Sequence, residues 1–210
     1  TRPNGHMRVC CTANASSVQD KDSTNKTVSE AGVLKRDDGK PANLATTSLL
    51  DAWNNEYMKT VRKMMLRGER PSSCLKCFKK EDAGHRSKRQ WETAKWVNEI
   101  GLEEIIGETT EEGTVPPKVR YIDLRLGSKC QLACVMCSPH DSSKWVKEYK
   151  EIYPNIKNPR LKTSQLWEKE SGKLAWSGGS YAWHKSNPTF WTEFYTQVPT
   201  LKQLYWAGGE

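Results

Sequence analysis

No apolar run in this sequence approaches the roughly 18 residues that a membrane-spanning helix needs, and no signal peptide is visible at its start. A membrane or secreted protein is therefore not expected. An even, framework-like set of cysteines is also missing. The seven present are an odd number grouped in motifs, which reads as metal ligation in a reducing compartment rather than as disulfide bonding. The expected location is cytoplasmic. A dense Lys/Arg run interleaved with aromatics is absent too. The net charge of +8 and isoelectric point near 9.1 invite a nucleic-acid partner. Yet Lys59–Arg70 and Lys79–Lys95 alternate charge with helix-face apolars, so a solvated basic surface is the preferred reading. The chain is polar, 36% hydrophobic with a mean hydropathy of −0.80, but nine tryptophans set it apart from disordered compositions. Its 210 residues suffice for one or two domains. It starts at Thr1 without an initiator Met and stops at Glu210, so a fragment open at both ends is expected.

What is present centres on Cys130-Gln131-Leu132-Ala133-Cys134-Val135-Met136-Cys137, just after the strand-like run Val119–Leu126. C-x3-C-x2-C spacing lets three sulfurs of one loop converge on one centre, while no fourth ligand accompanies them. Structural zinc normally closes with four protein ligands; an iron–sulfur cluster on three cysteines leaves one iron open. His140 could suggest a Cys3His zinc site, but it follows Cys137 too closely to wrap back easily, and an ordinary polar loop role is preferred.

This spacing resembles the hallmark of the radical S-adenosylmethionine (radical SAM) superfamily. Gly208-Gly209-Glu210, after a second strand-like run at Leu201–Ala207, adds to the resemblance. In that superfamily a Gly-Gly-Glu at the end of the second barrel strand holds the amino group of the cofactor's methionine part. The resemblance implies that Cys130, Cys134 and Cys137 ligate a [4Fe-4S] cluster whose open iron chelates S-adenosylmethionine. An electron, from a donor such as flavodoxin or ferredoxin, would split the sulfonium into methionine and a 5′-deoxyadenosyl radical, which abstracts a substrate hydrogen. The Gly208–Gly209 backbone can approach the cofactor closely because no Cβ intervenes, and Glu210 would accept a hydrogen bond from its ammonium. Met136 stands where the superfamily usually has an aromatic near the adenine; Met is polarizable and can cover an adenine face.

A second cysteine set consists of Cys10, Cys11, Cys74 and Cys77. Neighbours in a strand point to opposite faces, so one site easily takes only one of Cys10 and Cys11. The C-x2-C at Cys74 and Cys77 also suits zinc. Its surroundings, with a hairpin, paired cysteines, a Leu-x2-Trp-Asn-Asn helix and Arg-Lys-Met-Met-Leu-Arg-Gly-Glu-Arg-Pro, resemble the twitch or SPASM auxiliary-cluster domain. Such a domain implies an auxiliary iron–sulfur cluster. Placed before the barrel, it resembles phage- and bacteria-encoded twitch-containing radical SAM proteins. Relatives with such domains often modify peptides, so a peptide is one candidate substrate; the substrate itself is unassigned.

The expected fold class is α/β: the start of a partial (β/α) barrel of radical SAM type, preceded by a small cysteine-ligated α+β auxiliary-cluster domain. The expected divisions are 1–106 for the auxiliary domain, an acidic Gly/Pro linker at 107–118, and 119–210 for the barrel part. Asn4-Gly5 predicts a primed hairpin turn, followed by a strand Met7–Cys10. Thr12–Thr47 reads as a long loop or poorly ordered insertion, whose sequons at Asn14 and Asn25 are taken as chance. Ser48 predicts an N-cap, with Asp51 at N3, for one helix ending near Gly68; Leu49, Leu50, Trp53, Tyr57, Met58, Val61, Met64 and Met65 form its apolar face. A further helix is expected from about Ser87 to Ile106 with Trp91, Ala94, Val97 and Ile100 inward. In the strand Val119–Leu126, Ile122, Leu124 and Leu126 share one face, and Tyr121, Asp123 and Arg125 the other. That polar face predicts either the lining of a reaction chamber or a structural Asp–Arg pair. Ser142–Lys150 predicts a short helix and Tyr153–Lys185 is irregular. Asn187-Pro188 opens a helix presenting Phe190, Trp191, Phe194, Tyr195 and Val198. Strand, helix and strand then point to a parallel sheet. The reading of a different class is a zinc-stabilised, non-catalytic nucleic-acid binder.

Overall fold

The computed structural model describes residues 1–13, 32–139, 141–157, 166–168, 174–176 and 182–207. Helices α1 (Leu49–Trp53), α2 (Glu56–Leu66), α3 (Leu75–Asp82), α4 (Lys88–Ile100) and α5 (Leu102–Gly107) precede strand β1 (Tyr121–Leu124). After it come α6 (Trp145–Ile152), β2 (Leu166–Glu168), β3 (Leu174–Trp176), α7 (Trp183–Ser186), α8 (Pro188–Gln197) and β4 (Gln203–Trp206). None of the helices among the described residues is long and apolar enough to cross a membrane.

The first turn is centred on Pro3-Asn4 rather than on Asn4-Gly5. Gly5 N–H donates to Arg2 O at 2.9 Å, and the left-handed φ of +84° belongs to Gly5 alone. A Cβ on Gly5 would lie 2.5 Å from Asn43 Oδ1 and 2.8 Å from Trp183 Cγ, so conformation and packing both demand glycine. Met7–Cys10 is no independent strand. Isolated bridges join His6 to Asn43 and Arg8 to Val33, and Met7 N–H donates to Ala42 O at 3.0 Å while Leu34 N–H donates to Met7 O at 2.9 Å. Part of the expected loop, residues 32–44, thus returns to pair with the N-terminus and buries Val33, Leu34, Ala42 and Leu44. Residues 14–31, with both sequons, lie outside the described residues.

Ser48 caps α1, its Oγ accepting from the Leu50 and Asp51 amides at 3.1 Å each. The carboxylate completing the cap is Glu193 of α8, not Asp51. It accepts from Leu49 N–H at 2.7 Å and from the Ser48 hydroxyl at 2.5 Å. The long helix expected from Ser48 breaks at Asn54-Asn55. Asn55 caps α2 by accepting from Met58 N–H at 2.9 Å, and the Asn54 amide donates to Val115 O at 2.8 Å. Short amide side chains compete with the helix for backbone partners, and here they win twice in succession. Arg62 fastens the break, donating to Asn54 Oδ1, Trp53 O and Gly113 O. The Trp53 indole N–H donates to Pro116 O at 3.1 Å. Residues 113–116 of the expected linker are therefore strapped along α1 and α2. Because Glu193 joins α8 to the open end of α1, Glu193→Ala should cost about 1–2 kcal/mol. Urea denaturation checks this; an unchanged midpoint would show that water caps α1 equally well.

The helix expected over Ser87–Ile106 is interrupted at Gly101, whose φ is +97°. Ser87 and Gln90 form a capping box for α4. Trp91, expected inward, is 59% exposed, with the Arg86 guanidinium 3.8 Å from its ring centre. Strands β1 and β4 pair in parallel, Tyr121 opposite Gln203 and Leu124 opposite Trp206; β2 and β3 pair antiparallel. No closed barrel is seen among the described residues. Ile122 and Leu124 are buried, as the alternation predicts. Helix α8 buries Phe190 and Phe194 but leaves Tyr195 exposed, and Val198, expected on the same face, lies exposed just past its end, so its apolar face is narrower than expected. One cluster joins Met7, Leu44 and Ala52 to Val119, Leu124, Trp183 and Phe190. Residues on both sides of 107–118 thus share an apolar core.

Candidate functional site

The segment after β1 leaves the sheet and forms an open loop held by the residues that follow it. Ser143 N–H donates to Ser128 O at 2.7 Å, the Ser142 hydroxyl to Leu132 O at 2.7 Å, and the Trp145 indole N–H to Cys134 O at 3.0 Å. Ser142 is itself buried, so the loop is anchored from below. Within it Cys137 N–H donates to Cys134 O at 2.9 Å, and Leu132 N–H donates to Cys130 Sγ at 3.4 Å. Desolvation and the neighbouring Cys134, Asp141 and Cys130 raise the Cys137 thiol above its ordinary range. Val135 and Met136 are 97% and 93% exposed, which puts Met136 at the loop's solvent-facing tip.

The other set gathers around Thr12. Its hydroxyl lies 3.4 Å from Cys10 Sγ and 4.0 Å from Cys77 Sγ. Cys77 is buried in the first turn of α3, and Cys74, one turn earlier, is half-buried. Desolvation raises the Cys74 thiol, opposed by a hydrogen bond with Ser73 and reinforced by Cys10 and Cys77. Burial raises the Cys11 thiol and Lys88 opposes that shift. Of the adjacent pair, Cys10 is the one that shares the Thr12 hydroxyl with Cys77. Among the described residues, no three His, Cys, Asp or Glu side chains converge closely enough to hold a metal ion. His140, Gly208, Gly209 and Glu210 lie outside the described residues.

Beside the Cys10-Cys11 turn opens a cavity of about 470 Å³. The Cys10-Cys11 turn lines one side, the polar face of β1 another, and Ser138 with Asp141, just past Cys137, a third. Tyr121, Asp123 and Arg125 all border it. The Asp–Arg pairing expected of this face is seen, Arg125 Nε lying 3.5 Å from Asp123 Oδ1 and its Nη1 3.6 Å from Asp141 Oδ1. Those ion contacts are too long to serve as good hydrogen bonds. Sequence reasoning missed the roles of Arg2, Arg8 and Asp141, since only folding brings the N-terminal turn against β1. The return of residues 32–44 had one legible signal, the Asp38-Gly39 turn dipeptide. No family model, no curated protein and no solved structure matches this chain.

Proposed function

We infer that this chain is part of a radical SAM enzyme, with an auxiliary iron–sulfur domain over 1–106 and the beginning of a (β/α) barrel over 119–210. The observation that carries the reading is the parallel pairing of β1 with β4. Ala207 N–H donates to Leu124 O at 3.1 Å, so the residue before Gly208 stands beside the strand end that leads into Cys130. Ligand sites of parallel sheets gather at the carboxyl ends of their strands, and the two motifs behind the resemblance leave the sheet at that same end. A parallel sheet is normally covered on both faces, and Leu204 and Trp206, 43% and 50% exposed, fit strands that belong to a larger sheet.

The donor set suits the group by its chemistry. Three thiols share one anchored loop, and a cationic centre favours the thiolate form that ligation requires. A cluster distributes its cysteines over separate irons, so they need not crowd as ligands of a single ion do. Cys130, Cys134 and Cys137 would hold it, and when bound it would supply the electron that cleaves S-adenosylmethionine to methionine and a 5′-deoxyadenosyl radical. Glu210 and the Gly208–Gly209 backbone would bind the cofactor's ammonium, and Met136 would cover its adenine. Cys10, Cys74 and Cys77 would hold the auxiliary cluster.

Anaerobic purification tests the reading. A brown protein containing iron and sulfide, whose reduced paramagnetic resonance spectrum changes on adding S-adenosylmethionine, is expected. A colourless protein with stoichiometric zinc would instead favour the nucleic-acid binder. Because the Thr12 hydroxyl lies 3.4 Å from Cys10 Sγ and 4.0 Å from Cys77 Sγ, Cys10→Ser should lose the auxiliary iron and Cys11→Ser retain it. Iron analysis of the two reconstituted variants checks this, and equal losses would mean that both cysteines ligate.

A further inference from the structure

The cavity beside the Cys10-Cys11 turn carries an unusual balance of charge. Arg2, Arg8 and Arg125 border it, against Asp123 and Asp141. Arg8 Nε is buried and lacks a hydrogen-bond partner among the described residues, while the buried Arg125 Nε and Asp123 Oδ1 face each other at 3.5 Å, too far for a good hydrogen bond. Arg8 spends its remaining nitrogens on the backbone oxygens of Cys11 and Ala13, which fixes its guanidinium at the cavity wall. Burial, and for Arg2 then the neighbouring Arg8, holds both guanidiniums below their ordinary proton affinity. Three guanidiniums against two carboxylates leave one positive charge at this partly open space without a counter-ion. Buried polar atoms without partners are rare in native proteins and call for an explanation. The volume suits a small molecule rather than a single ion or a polymer.

We propose that this cavity binds a small-molecule ligand through its oxyanion, a carboxylate or a phosphate, held by Arg8 and Arg125 with Arg2 at the rim. Guanidinium groups match both oxyanions with paired N–H donors. The remainder of the ligand would rest on the apolar floor supplied by Met7, Leu34 and Ile122. That the ligand is the enzyme's substrate rests on the proposed function; that the cavity takes an oxyanion does not.

The test uses calorimetric titration of metal-free protein at low ionic strength with succinate, inorganic phosphate and uncharged succinamide. Saturable one-to-one binding of succinate or phosphate is expected, the stronger of the two identifying the oxyanion, with none for succinamide. Arg8→Gln and Arg125→Gln should each weaken it by about tenfold or more. Arg36→Gln, which touches only the exposed Asp38, should leave it unchanged. Because Arg125 faces Asp123 and Asp141 at 3.5 and 3.6 Å, anion-free Arg125→Gln should melt below the parent, whereas added anion should raise the parent's melting temperature and leave that of Arg125→Gln unchanged. Absence of saturable binding, or unaffected affinity in both cavity variants, would overturn the proposal. Displacement of the bound anion by S-adenosylmethionine would make the cavity the cofactor's own site and end the substrate assignment. Because the titration needs no cluster, a failed iron–sulfur analysis would sink the proposed function and leave this result standing.

Discussion

On the proposed radical SAM reading, changing Cys130, Cys134 or Cys137 singly to Ala should abolish formation of 5′-deoxyadenosine by the reconstituted full-length protein. Each change removes one of three thiols in a loop that offers no spare thiol, and a cluster with two cysteine ligands would not be held. The fold should survive all three changes. The loop's anchors are the Ser142 hydroxyl on Leu132 O and the Trp145 indole on Cys134 O, and both acceptors are backbone groups that the substitutions keep. None of the three thiols belongs to the apolar core. Circular dichroism melts should therefore coincide with the parent's while product formation disappears. Liquid chromatography of the reaction decides the matter: 5′-deoxyadenosine from any one variant at the parent's rate would sink the radical SAM reading. A lowered melt with lost product would instead show that the loop is structural.

The motif was legible because it is local. Three cysteines within eight residues need no tertiary information to be read together, and the strand before them announces itself by alternation, with Ile122 and Leu124 buried and Tyr121 and Asp123 only partly so. The start of α8 was equally legible, since Asn187 caps it and Pro188 fits its first turn. The helix breaks were not. Trp53, Tyr57 and Met58 keep helical spacing across Asn54-Asn55, and periodicity alone cannot register that the two amides find partners on Val115 and Lys35. The glycine at 101 costs only about 1 kcal/mol inside a helix, so its φ of +97° reflects a choice made by packing. The cavity was the least legible feature. Arg8, Arg125 and Asp141 come from separate segments, and their charge balance has meaning only once they share one space.

Trp183 shows the same limit in the core, and replacing it should have the largest effect on stability. The stretch around it reads as irregular, and α7, which contains it, is only four residues long, too short to display a period. Yet its side chain is fully buried. Its ring meets Phe190 edge-on with centroids 4.9 Å apart, its indole N–H donates to Arg125 O at 3.2 Å, and it fills the space that a Cβ on Gly5 would enter. One side chain thus joins the N-terminal turn, the end of β1 and α8. Trp183→Ala should cost about 3–5 kcal/mol, the usual range for emptying a large core site, against a total of roughly 5–15 kcal/mol for a typical domain. Trp183→Phe keeps most of the ring contact and loses the N–H donor, so it should cost less, about 1–3 kcal/mol. Urea titration followed by circular dichroism would rank the two against Trp191→Ala, which removes a partly buried ring at the edge of the same cluster. If Trp183→Ala proved no worse than Trp191→Ala, the joint between the first turn, β1 and α8 would have to be held by the backbone bridges to residues 33–43 instead. In that case Arg125 at the end of β1 would keep its position when the indole is removed, and anion binding in the cavity would be unchanged.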